Sequence, residues 1–308
     1  LQALAALRSV LAHRGERRSL EELVALSGAA FTVIFDPQQP AVGQRTLDES
    51  PFEVVAEALG FADNVWSGAS AEQAFETVHQ ALLQGHPVLV RHGSPGRWVV
   101  VTGYDMAEQQ VSYLPPARDS YATVARGRFL EGWKAASGSG SGVAGAQRYY
   151  QFSLGARMES PDEPAVLQAG VGRAAEVMRL RTVAGAAAGA NAWERIGAHL
   201  ELCMDPEAPG VREQALRWRE VGLEPHLTLA AMGTGMLRHA ADTLPEAGGI
   251  GRRHEELIQE ATLLGRKIDE AAESGETPAK WQAAAAQANY VAALHIRLAE
   301  DLADAAAR

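Results

Sequence analysis

After Gly155 the sequence changes character, and that change limits the fold more than any single motif does. Up to about residue 156, β-branched and aromatic runs alternate with short amphipathic stretches bounded by glycine and proline. Beyond the polar stretch G-A-R-M-E-S-P-D-E-P (Gly155 to Pro164) the chain is Ala-rich, with apolar residues at helical spacing. Strands gathered in one half and helices in the other predict two packed bodies rather than one alternating α/β sheet. The expected fold is α+β: a mixed α/β domain over residues 1–156, then an all-α domain over 157–308. A chain of 308 residues is long enough for both.

Local signals place the elements. Leu1 to His13 reads as an apolar helix, buried nearly all round and stopped by Gly15. Ser19-Leu20-Glu21-Glu22 is a capping box that starts a short helix ending near Gly28. Phe31 to Phe35 is strand-like, and helices are expected at Pro51 to Leu59 and Ala71 to Gln84. Pro87 to Arg91, Trp98 to Tyr104 and Gln110 to Leu114 predict a three-stranded meander, its first turn at Gly93 to Gly96. Ala136 to Ala146 reads as a Gly/Ser-rich loop, with a returning strand at Arg148 to Leu154. The second half predicts helices at about 163–181, 186–202, 210–221, 227–243, 251–274 and 278–307. The last two should form an antiparallel hairpin.

Composition removes several function classes. A net charge of -10 disfavours nucleic acid and anionic membranes, both of which call for clustered Lys and Arg. No apolar run approaches the ~18 residues of a spanning helix, and no signal peptide is visible. The one cysteine, Cys203, cannot form an intrachain disulfide, so a cytoplasmic bacterial protein is expected. Cys203 stands late in a helix, where the dipole disfavours a thiolate, which reads as a buried inert thiol. His226, His239, His254 and His295 show no i, i+3 or i, i+4 pairing, so neither a metal site nor any cofactor is expected.

Two segments carry a resemblance: L-Q-A-L-A-A-L-R-S-V-L-A-H-R-G (Leu1 to Gly15) and G-R-W-V-V-V-T-G-Y-D (Gly96 to Asp105). With L-S-G-A-A-F (Leu26 to Phe31), H-P-V-L-V (His86 to Val90) and V-S-Y-L-P-P (Val111 to Pro116), they resemble papain-like cysteine peptidases over about residues 1–120. The type they resemble is the bacteriocin-processing, double-glycine-leader peptidase, with the N-terminal domain of butirosin-type acyltransferases as a relative. The resemblance implies a Cys opening the first helix, a His opening a central strand, and an Asp or Asn after the next strand. The matching positions hold Gln2, Arg97 and Leu114. An amide is no nucleophile, a guanidinium with a pKa above ~12 cannot cycle protons, and an alkyl chain orients nothing.

Three functions from different classes follow. The first is a non-catalytic protein that binds a peptide, acyl or carboxylate-bearing small molecule in the old cleft. Gln2, Arg97, His92 and Trp98 would line that cleft, and Trp193, in a helix resembling one that follows the sheet in butirosin-type proteins, would cover it. The second is an acyltransferase or hydrolase whose cysteine lies just upstream of Leu1. The third is a structural protein with no ligand, dimerising through its C-terminal helices; a homodimer is compatible with the first reading too. His92 also reads as a solvent-exposed hairpin residue, and Trp193 as a core residue.

Overall fold

The computed structural model describes residues 1–38, 51–93, 96–115, 120–137, 149–205, 207–273 and 277–308. They fall into two compact units, Leu1–Leu23 with Val55–Ser160, and Val24–Val54 with Pro161–Arg308. The described residues of 24–54, which precede most of the strands, thus pack within the second unit. Most of the Gly/Ser-rich loop expected at Ala136 to Ala146 lies outside the described residues, as does part of each turn at Gly93 to Gly96 and Gly275 to Pro278.

The first unit is built on a six-stranded antiparallel sheet. Its strands are β2 (Phe61–Gly68), β3 (Val88–His92), β4 (Arg97–Asp105), β5 (Gln110–Leu114), β6 (Ala122–Ala125) and β7 (Tyr149–Arg157), in the order β2-β7-β3-β4-β5-β6. None begins beyond residue 149, as the sequence predicts for the main sheet. The β3–β4 register pairs Val88 with Val101, Val90 with Val99 and His92 with Arg97. Directly paired residues share a face. Val88, Val90, Val99 and Val101 form one core cluster with Phe75 and Val78 of α4 (Ala71–Leu83) and Phe129 and Trp133 of α5 (Arg126–Ser137).

α1 (Gln2–His13) packs on β4, β3 and β7 and adds nothing to that cluster, so it covers the opposite face. Its burial is one-sided, a correction to the all-round burial expected. Leu4, Ala6, Leu7, Val10 and Leu11 are buried, whereas Gln2, Arg8, Ala12 and His13 are exposed. Each buried Leu or Val contributes roughly 1.5–3 kcal/mol relative to exposure. The helix ends in a left-handed Gly15 (φ 79°), whose N–H meets the Ala12 carbonyl while that of Glu16 returns to Leu11. Arg14 then fastens this end to β7, donating to the Leu154 and Gly155 carbonyls at 3.2 and 2.9 Å.

The second unit is mostly helices packed together. α6 (Glu163–Met178), α7 (Gly189–Leu202), α8 (Pro209–Trp218), α9 (Glu224–Ala240), α10 (Pro245–Glu273) and α11 (Pro278–Ala306) match the expected run to within a few residues at most ends. It is not all-α, however. β8 (Thr182–Val183) and β9 (Ala186–Ala188) form a hairpin that pairs with β1 (Ile34–Phe35). The helix expected from Ala186 therefore starts at Gly189. Between α8 and α9 the backbone widens into a π-turn, Arg219–Leu223. Pro225 follows it, with no N–H to give and a ring that would crowd the Val221 carbonyl of a regular helix; the wide turn relieves both problems.

Candidate functional site

The sequence-predicted residues gather in part at the end of the β3–β4 pair. His92 closes β3, Arg97 opens β4, and the two are cross-strand partners. Strand alternation places both on the α4–α5 side, with Trp98 on the side that α1 covers. Trp98 meets Tyr150 edge-on at 5.8 Å, next to Tyr149 of the opposite cluster, in keeping with that assignment.

His92 is not a solvent-exposed hairpin residue. Its ring stacks on Phe129 at 4.7 Å and 19°, and Tyr113 approaches it at 5.3 Å. Nε2 is buried and has no hydrogen-bond partner among the described residues. Burial holds the imidazole below its usual pKa, with the Phe129 carbonyl pulling the other way, so the ring favours the neutral form. Arg97 is exposed, and among the described residues it makes no ion pair. The pair thus sets a fixed cation beside a neutral ring at one end of the sheet.

Gln2 is exposed in the first turn of α1, on the helix covering the other face. Among the described residues, no hydrogen bond or ring contact joins it to His92 or Arg97. Leu114 ends β5 opposite Val100, which also places it on the α1 side. Trp193 belongs to the core of the helical unit. It is fully buried, edge-on to Trp218 at 6.3 Å and to His226 at 6.0 Å, so packing rather than ligand contact explains it.

The sequence reading missed Phe129, Tyr113 and Gly132, which together create the setting of His92. The signal present was F-L-E-G-W, whose Phe129 and Trp133 stand at i, i+4, the spacing of one helix face. Cys203 is fully buried beyond α7, and burial pushes its thiol up to about 11 despite the nearby Arg212. No group of three His, Cys, Asp or Glu among the described residues could hold a metal ion. No helix among them is long and apolar enough to cross a membrane.

The order of elements, with an opening helix laid on a sheet whose central strand starts at Arg97, is that of the resemblance drawn from the sequence. Residues 3–141 match the Peptidase_C39 like family. The matched residues therefore include all of the opening helix but its first residue, Gln2, both strands of the His92–Arg97 pair and α5. Cys203 lies outside them, and residues 3–141 contain no cysteine. No curated protein matches the chain.

Proposed function

We propose that the C39-like domain binds a carboxylate-bearing peptide or acyl ligand without cutting it. The observation that carries this reading is Arg97, exposed at the head of β4 beside a neutral His92 and free of ion pairs among the described residues. A guanidinium in that state offers a forked, charge-assisted contact to a carboxylate. The neighbouring imidazole and Tyr113 add an aromatic wall. Acyl transfer needs an activated nucleophile and a titratable partner within hydrogen-bond reach. Gln2, Arg97 and Leu114, at the positions where the resemblance puts the catalytic groups, supply neither. Cys203, with its buried thiol and high pKa, does not replace them.

Calorimetric titration of the protein with a short peptide, once with a free C-terminal carboxylate and once amidated, tests the reading. The acid should bind and the amide should bind more weakly. Arg97→Ala should weaken binding of the acid by roughly 1.5–3 kcal/mol, the range for hydrogen bonds to charged groups. Equal binding of both peptides, or thiol-dependent turnover of either, would overturn it.

A further inference from the structure

Of the four histidines buried in the helical unit, three stand one each on three neighbouring helices. His226 lies on α9, His254 on α10 and His295 on α11, and they are 7%, 1% and 2% exposed. Their partners are neutral. His254 Nδ1 shares a hydrogen bond with the Thr234 hydroxyl at 2.9 Å. His295 Nε2 donates to the Met178 carbonyl at 3.0 Å. The Thr32 carbonyl serves His226, whose Nδ1 is buried with no partner among the described residues. Phe31 packs on His254 at 5.0 Å, and Trp193 on His226.

The titratable groups that act on these rings are the rings themselves: His295 on His226, and both on His254. Several charged groups on the surrounding helices have partners of their own. Arg173 of α6 pairs with Glu176, Arg212 of α8 donates to the Cys203 and Asp205 carbonyls, Arg238 of α9 pairs with Glu255, and Lys267 of α10 donates to Gln287. His199 of α7 bonds to the Val211 carbonyl. His295 also lines a cavity of about 450 Å³, around which stand Arg179, Arg181, Glu194 and Glu300, two of each sign. Among the described residues no carboxylate pairs with any of the three rings.

We propose that the three histidines form an acid-operated release, whose joint protonation loosens the packing of α9, α10 and α11. A proton on any ring brings an uncompensated charge into the interior, and each further proton adds repulsion from the first. Burial holds His226 and His295 at about 4 and His254 at about 3, against an ordinary 6.5. Between those values and 6.5 the folded unit binds fewer protons than the opened one. Stability from the neutral rings is therefore complete above about pH 6.5 and is lost as the pH falls towards 4. At pH 5.5 each exposed ring would be about nine-tenths protonated, which favours opening by about tenfold per ring.

Hydrogen exchange of the α9–α11 amides in the full chain, corrected for intrinsic rates, tests this at pH 7.5 and 5.5. Protection should fall by about 100- to 1000-fold in the native protein. It should stay nearly level in the triple variant His226→Gln, His254→Asn, His295→Gln, whose amides keep the nitrogen contacts without titrating. Equal loss of protection in both proteins would overturn the proposal. If the variant does not fold, the ring proton resonances of the native protein decide. Rings silent down to pH 5.5 in the folded chain support the release, and rings titrating near 6.5 while the unit stays closed overturn it.

Discussion

Nε2 of His92 lies so close above Gly132 that a Cβ added to that glycine would come within 2.3 Å of it. The backbone is tied at the same place, where the Gly93 N–H donates to the Gly132 carbonyl at 2.9 Å. Gly132 is thus a spacer that lets an imidazole lie flat against α5. Gly132→Ala should destabilise the first unit by about 1–3 kcal/mol through overpacking. Gly127→Ala, on the same helix with open space around it, should be neutral or stabilise by up to about 1 kcal/mol. Urea unfolding of the two variants side by side measures the contrast; equal midpoints would remove the spacer role.

The buried Cys203 makes a second prediction. With its thiol held at about 11 and donating to the His199 carbonyl, it should react with a disulfide reagent at neutral pH only as fast as the helical unit opens. Denaturant should release one reactive thiol per chain. Prompt labelling of the native protein would show that the thiol is accessible.

Trp193→Ala should cost about 3–5 kcal/mol, the range for emptying a fully buried aromatic site. If Trp193 acts only in packing, carboxylate-peptide affinity measured well below the melting temperature should stay unchanged. A selective loss of affinity without loss of stability would restore it as a ligand contact.

Ser19 and Glu22 cap one helix reciprocally, the Ser19 N–H reaching Glu22 Oε2 at 2.6 Å and the Glu22 N–H reaching Ser19 Oγ at 3.1 Å. Ser19→Ala should cost about 0.5–2 kcal/mol, and Ser19→Gly less. Thermal melts of the two variants test that order.

That cap was legible in the sequence because its signal is local, as were the ends at Gly15, Gly60 and Gly85. The paired ends of His92 and Arg97 were legible too, since a short connection between two apolar runs sets them opposite each other. The elements missed are those that tertiary context decides. β2 is an edge strand with half of its residues exposed and only one fully buried, so it lacks the apolar alternation of the inner strands. Ala186–Ala188 has helical propensity, yet it pairs with Ile34–Phe35 and hands over to the helix only at Gly189, where φ is 58°. The placing of Gln2 and Arg97 on elements that serve opposite sheet faces follows from a register no spacing rule reveals.

The π-turn at Arg219–Leu223 sets an angular phase. A wide turn holds one residue more than the α-helical path around it needs, and each residue of a regular helix advances the chain by about 100°. The wider winding takes up that residue, so His226, Ala230, Thr234 and Leu237 face inward in phase with the helix before the turn. Deleting Gly222 would close that turn to a regular one and leave the inward face of α9 in phase, but it would bring the Pro225 ring back against the preceding helical turn.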